Sequence, residues 1–412
     1  MVCRQPNHGC FCRLATGDWL FSKNPFLIKS TPTIYDYIIT GMGCAGLSLA
    51  VHMIRSGKFS DKKVLLIDKD RKEKNDRTWC FWETGAGTFE DVVYRKWNKA
   101  WFHADSHSEL MDLSPYQYKM IRGIDYYTFC LDIIKAETGF EIVYAPLEEF
   151  VNHQNKPSVR AGGVLYSADF IFNSIMLEAP QIGKGKYYLL QHFKGWVIET
   201  GAAYFKTDEA TLMDFRPSQV HGTTFVYVMP LSPTRALIEY TLFSPSLLNE
   251  EKYTAGLKEY ISTYLNISEY KIVEEEFGVI PMTNHRFKSA EGRIMHLGTA
   301  GGQTKASSGY TFRFIQKNSV NIVESLVKYG DPFHIKTNGK KRFEWYDSVL
   351  LNILNHKTLE GRFIFRQLFK KNQPEVILRF LDNETNLAEE FRLLNSLPQW
   401  PFMKAGVAEF FK

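Results

Sequence analysis

Gly41, Gly43 and Gly46 stand in GxGxxG spacing within YIITGMGCAGLSLA, and that spacing suits the pyrophosphate of a nucleotide. The first glycine permits a tight turn, the second lets backbone approach the phosphates, and the third lets a helix pack on its strand. With Met42 and Ala45 filling the turn, the helix N–H groups and dipole are aimed at the anion. Asp68 ends the apolar run Val64 to Ile67, about 20 residues after Gly46, where an acid that binds ribose is expected. A turn that binds nothing would not need strand, glycines, helix, strand and acid in this order. A second glycine segment, HLGTAGGQTKASSGYTF, offers Gly298, Thr299, Gly301 and Gly302, whose backbone can meet another part of the same ligand. A third feature is Glu239 in RALIEYTLF, a carboxylate inside an apolar, aromatic strand. Such a group faces solvent, is paired, or is kept protonated by desolvation. Leu237 and Thr241 share its parity and only one of them is apolar, so spacing leaves both a solvent-face and a functional reading open.

The elements around these residues divide the chain. The strand at Tyr37 to Ile39, a helix from Cys44 to Ser56, strands at Glu141 to Tyr144 and Ala168 to Phe172, and a helix at Tyr126 to Lys135 form an α/β, Rossmann-like first part over 34–180. Runs at His192 to Thr200, Ala210 to Phe215, Thr223 to Met229 and Arg235 to Phe243, separated by turn residues, predict an antiparallel sheet over 181–280. Residues 281–330 return to the nucleotide domain, and Pro281 marks an edge or a crossing in EFGVIPM. Helical spacing of Phe343, Tyr346, Leu350 and Leu354 predicts a helical region over 331–412. The first 33 residues lack an apolar signal core and read as a disordered tail.

At 412 residues the chain is too long for one ordinary core, and 44% hydrophobic with 23% charged residues is globular composition. Its 31 Phe, 21 Tyr and 8 Trp are enough to line a pocket for a large apolar ligand, although aromatic cores use the same residues. Six scattered cysteines imply no disulfide scaffold and suit a reducing, cytoplasmic setting. Cys3, Cys10 and Cys12 lack a histidine pair at ligand spacing, so no metal is expected. With no run of 18 apolar residues, a spanning helix is not expected. Between Lys336 and Lys371 nine Lys or Arg face three acids, +6 in a chain of net charge +5, beside aromatic residues. That combination suits an interfacial membrane contact as well as a solvated helical face, and no nucleic-acid partner is expected.

Taken together, YDYIITGMGCAGLSLA, DRTWCFW at 76 to 82, Met213-Asp214, FVYVMPLSPTRALIEYT at 225 to 241, EFGVIPM at 276 to 282, AGGQTKASSGYTF at 300 to 312 and FLDNET at 380 to 385 resemble the bacterial FAD-dependent lycopene cyclases. The resemblance covers about Tyr35 to Phe402, and its DRTWCFW and IEYT segments are far more specific than the glycine motif. It departs at Asn173-Ser174, where the family often has an Asp-Gly or Asp-Ala turn, and at Lys305 and Ala306, where a proline is common. The resemblance implies a two-domain fold like that of flavoprotein hydroxylases and geranylgeranyl reductases. It also implies acid-base catalysis by Glu239, reduced FAD, NAD(P)H or another reductant, and lycopene and related acyclic carotenoids as substrates. A peripheral place on the inner membrane, beside other carotenoid-pathway enzymes, goes with it.

The expected reaction is an isomerisation. Protonating a terminal double bond makes a tertiary cation, ring closure moves the charge, and proton loss fixes the beta-ring double bond. A carboxyl in a dry pocket suits both proton transfers, and aromatic faces stabilise the cation by about 0.5 to 2 kcal/mol each. Within enzymes the alternatives are a flavin monooxygenase, which usually has Gly-Asp where this chain has Gly298-Thr299, and a geranylgeranyl-reductase-like oxidoreductase acting on a polyprenoid. Outside enzymes, a flavin-bound carotenoid carrier would retain lycopene unchanged.

Overall fold

The computed structural model describes residues 33–177, 181–335 and 340–412. Apart from Thr33, the tail expected over 1–33 lies outside the described residues.

Predominantly apolar strands build the first sheet because both of its faces are covered. Thr33–Thr40 lies between Val64–Asp68 and Val164–Asn173, all parallel; Phe140–Tyr144 extends one side and Ile294–His296 the other. The helices Cys44–Arg55, Gly123–Lys135 and Phe312–Tyr329 bury Leu47, Ile134 and Ile322 on one face. The other face, with Ile38 and Leu65, is covered by an antiparallel meander that includes Lys156–Ala161.

A seven-stranded second sheet runs in the order Lys271–Thr283, Tyr188–Glu199, Arg235–Ser244, Thr223–Ser232, Glu209–Asp214, Lys99–Ala104, His107–Asp112. Its last hairpin comes from within the 34–180 span, so the contiguous division expected from sequence does not hold for these strands. Lys99–Ala104 joins Glu209–Asp214 in parallel, a pairing between distant segments that local periodicity cannot report. Ala100, Phe102 and Ala104 alternate inward, so the hairpin buries its face in the second sheet's core. Pro281 does lie on the edge strand.

The two faces of the second sheet have different partners. Trp196, Ile238 and Tyr240 pack under the helix Glu250–Tyr264. Val197, Tyr227, Met229 and Leu237 face a core shared with Trp82, Tyr118 and the C-terminal helices. Met213-Asp214 serves the first of these contacts: buried Asp214 accepts hydrogen bonds from the Tyr260 hydroxyl at 2.7 Å and from Arg216 Nε at 2.9 Å, fastening the helix to its sheet.

Candidate active site

Strand Thr33–Thr40 delivers the first glycine turn to the carboxyl end of the parallel sheet, directly before helix Cys44–Arg55. Gly41 has φ +91°, and a Cβ there would lie 2.2 Å from Ser174 Oγ. Asn173 and Ser174 therefore support the turn: Ser174 Oγ donates to the carbonyls of Thr40 and Gly41, while Thr40 Oγ1 donates to Asn173 Oδ1. At Gly46 a Cβ would lie 2.0 Å from the Gly41 carbonyl oxygen, so helix and turn touch there. At Gly43 a Cβ would meet nothing within 4 Å. The helix above it has no side-chain cap and no acid in its first turn, which leaves first-turn N–H groups directed at open space.

Asp68 reaches this turn from the end of the neighbouring strand. Its Oδ2 accepts from the Met42 N–H at 2.6 Å and meets Lys72 Nζ at 3.2 Å. The second glycine segment arrives from the opposite side, where a Cβ on Gly298 would lie 3.0 Å from that of Ala45. Gly301 donates to the Leu297 carbonyl, Gly302 lies beside Phe287, and Thr299 Oγ1 is 3.3 Å from Thr304 Oγ1. Gly41, Met42, Gly43, Ala45, Gly46, Asp68 and Gly298 thus meet at one place. Thr299, Gly301 and Gly302 continue the same wall.

Glu239 lies away from this turn, on the inward face of the second sheet that Leu237 and Tyr227 share. The solvent-face reading therefore fails: Leu237 is 3% and Thr241 0% exposed. Glu239 itself is half-buried. Cys80, Tyr118, Tyr227 and Tyr310 all feel its charge, and all four have their own pKa pushed up by burial. Thr241 Oγ1 donates to Glu239 Oε1 at 2.9 Å. Burial, and then the neighbouring charge of Glu276, raise the Glu239 carboxyl well above the ordinary range.

Strand Thr78–Glu83, the centre of the DRTWCFW segment, links the two regions. Phe81 stacks on Phe312 at 4.3 Å between ring centroids, and Trp82 meets the Tyr310 ring edge-on at 4.8 Å. Thr78 Oγ1 donates to Glu276 Oε2 at 2.8 Å. A hollow of about 470 Å³ between Phe81, Phe89, Phe312 and Lys317 is not lined by Glu239. Its cations are engaged: Arg313 pairs with Glu83 and Asp382, and Lys317 with Asp382 and Glu384.

Comparison with known proteins assigns the chain to a family. The family model described as lycopene cyclase protein matches residues 36–406. The chain belongs to the lycopene cyclase family. It is 22% identical to the lycopene beta-cyclase of Pantoea ananas, over 90% of this chain and 97% of that protein. It is 24% identical to the chloroplastic neoxanthin synthase of Solanum tuberosum, over 71% of this chain but 61% of that protein. Among solved structures, a geranylgeranyl bacteriochlorophyll reductase-like protein from Thermoplasma acidophilum aligns with a TM-score of 0.56 at 11% identity, covering 92% of this chain and 97% of that one. A flavoprotein/dehydrogenase from Cytophaga hutchinsonii gives 0.59 at 11% identity, with 92% and 99% covered. These likenesses show the fold, the mixed α/β flavoprotein type expected.

Several residues of this cyclase-family chain escaped the sequence reading. Glu276 had a readable signal, because Gly195 interrupts a strand of large residues, and glycine inside a strand marks a close approach. Lys305 gave no such sign. It is buried, and its Nζ donates to Asp347 Oδ1 and Asn383 Oδ1, both at 2.8 Å, while Ser307 Oγ donates to the same Asp347 oxygen at 2.6 Å. This contact joins AGGQTKASSGYTF to FLDNET and closes the second glycine segment against the C-terminal helices. Lys305→Met, which strands Asp347 without its partner, is expected to lower unfolding stability by about 3 to 5 kcal/mol. Denaturant titration of Lys305→Met beside the Lys305→Met, Asp347→Leu double variant checks this, since the double variant should recover much of the loss.

Proposed function

We propose that this chain cyclizes the linear psi end groups of lycopene to beta rings, with Glu239 as the acid-base group and reduced FAD held by the Gly41 to Gly46 turn, Asp68 and the 298–302 segment. Carotenoid cyclization is the chemistry of the family. The observation that carries the finer reading is the inward-facing Glu239, paired across the strands with Tyr227 and raised by burial, within the segment that resembles the family's catalytic one. The residues present fit FAD: open space at Gly43 under uncapped helix N–H groups takes a pyrophosphate, and Asp68 takes a ribose hydroxyl. When bound in its reduced form, the flavin supplies negative charge that favours a cation, and NAD(P)H serves as its reductant.

The protein's own groups then have separable tasks. Glu239 holds the proton that the terminal double bond needs, and the tyrosine and tryptophan faces stabilise the cation while keeping water from trapping it as an alcohol. Expression in a lycopene-accumulating bacterium, followed by pigment chromatography and mass measurement, tests the reading. Cyclic products of unchanged mass are expected. Lycopene recovered unchanged would refute cyclization, and a gain in mass would favour a reductase.

We further propose that the substrate is taken from a membrane surface. Among the described residues no helix is long and apolar enough to cross a membrane. Within the basic, aromatic C-terminal third, Phe343, Phe365 and Phe369 point into the core, where they escape more water than at a surface. Exposed apolar side chains lie further on: Phe391, Trp400, Met403, Val407, Phe410 and Phe411, with Phe411 81% exposed. Substituting Trp400, Phe410 and Phe411 together with Ser is expected to lower sedimentation with liposomes several-fold. Added salt should weaken binding only in part, because inserted rings are not screened. Unchanged sedimentation of the triple variant would place the contact elsewhere.

A further inference from the structure

Glu276 stands beside Glu239 although 36 positions separate their numbers, because strand Tyr188–Glu199 runs between their two strands and Gly195 is the register partner of both. A Cβ at Gly195 would sit 2.8 Å from Glu276 Cγ and 3.1 Å from its Oε1. Glycine is therefore what lets the Glu276 side chain lean across toward Glu239. Each carboxyl has a hydroxyl donor, Thr241 on Glu239 and Thr78 on Glu276 Oε2. Glu276 Oε1 is buried with no donor. Two ionised carboxylates could only repel there, and one proton on Glu239 turns the contact into a strong hydrogen bond.

The surroundings of the two differ. Glu239 is paired across the strands with Tyr227, and its charge is felt by Cys80, Tyr118 and Tyr310. Glu276 lines a hollow of about 110 Å³ with Asn75, Thr78, Arg122, Arg235 and Glu274. The geometry points to Glu276 as a positioning residue that shares a proton with Glu239 across Gly195 and joins it to solvent through this hollow. The inference rests on the cyclase reading of Glu239.

The proton balance closes. As the O–H bond of Glu239 breaks, a C–H bond forms at the terminal alkene carbon, and the electron pair remains on the carboxylate. Both carboxyls are then ionised, two negative charges beside the one positive charge of the cation, and their mutual repulsion favours the return of one proton. When the ring carbon releases its proton, the C–H electron pair becomes the ring double bond and the proton returns to the pair. No proton is consumed.

Burial raises both carboxyls; the Glu276 charge raises Glu239 further, while the proton on Glu239 lowers Glu276. Arg77 also lowers Glu276 and Glu274 raises it. The sign follows: Glu239, raised by burial and by the Glu276 charge, gives up its proton only at a pH above the ordinary carboxylate range, and activity declines on the alkaline side.

The test uses the full-length, flavin-loaded protein with lycopene in phosphatidylcholine liposomes. Glu276→Gln is expected to keep flavin and fold, to lower kcat at least tenfold, and to move the alkaline limb of kcat to lower pH, since no neighbouring charge then holds the Glu239 proton. Glu276→Asp should restore the limb. The infrared band of a protonated carboxyl should shift in Glu276→Gln without substrate, a change that a packing role would not produce. An unchanged rate and limb in Glu276→Gln overturn the inference. If that variant fails to fold, Gly195→Ala, whose added methyl pushes the two carboxyls apart, must show the same displaced limb, and an unchanged limb there overturns it. Cyclization that survives Glu239→Gln would refute the underlying reading instead.

Discussion

Glu239→Gln is expected to abolish ring formation while flavin content and folding stay near those of the parent. The amide keeps the volume of the carboxyl and can still accept from Thr241, the group 2.9 Å away, but it has no exchangeable acid proton. Acid-base assistance is typically worth about 10² to 10⁴-fold, so a loss smaller than tenfold, read as cyclic carotenoid formed per flavin, would remove Glu239 from the chemistry. Glu239→Asp retains the acid but withdraws it by one methylene, and partial activity there identifies proton transfer by this group. Stability provides an independent sign. A carboxyl raised by burial adds stability that is complete at low pH and lost as pH rises through its folded-state value. The parent should therefore lose stability toward alkaline pH more steeply than Glu239→Gln, which has no charge to bury at that position.

How far this site could be read in advance depended on whether its determinants were local. Gly41, Gly43, Gly46 and Asp68 were legible because a strand, a turn and a helix adjacent in sequence build that half of the site, and each step carries a local rule. Strand Arg235–Ser244 was legible as a strand, but the face that Glu239 occupies was not. Parity gave one apolar and one polar neighbour, and it is the three-stranded sheet carrying Tyr118 and the C-terminal helices that bury that face. Glu276 was missed for a related reason: Gly195 marks a close approach but does not say which side chain makes it. The partner of Glu276 is two strands away in the sheet, and pairing order among antiparallel strands is set by long-range packing rather than by periodicity. The aromatic helices after residue 340 read as amphipathic, yet which stripe meets solvent depends on the sheet they cover, so periodicity alone does not tell Phe365, which is buried, from Phe391, which is exposed.

Gly43→Val is expected to yield a folded, colourless protein. The backbone at Gly43 has φ −82° and ψ −166°, an extended conformation that a β-branched residue adopts without strain. Its Cβ would meet no protein atom within 4 Å, so the flavin-free variant should unfold at the same denaturant concentration as the flavin-free parent. What the valine would meet is the pyrophosphate, held off the N–H groups of helix Cys44–Arg55. Loss of that approach should weaken FAD binding by at least two orders of magnitude, roughly 2.7 kcal/mol, measured as flavin retained after gel filtration and as the dissociation constant from fluorescence titration. Gly46→Val provides the contrast: its Cβ would fall 2.0 Å from the Gly41 carbonyl, so that variant should lose stability even without flavin. Added FAD should raise the unfolding midpoint of the parent and leave that of Gly43→Val unmoved, because a ligand stabilises only the folded state that binds it. A Gly43→Val protein that kept its full flavin load would show that the pyrophosphate does not lie over this turn, and the assignment of Asp68 and Gly298 to the same ligand would fall with it.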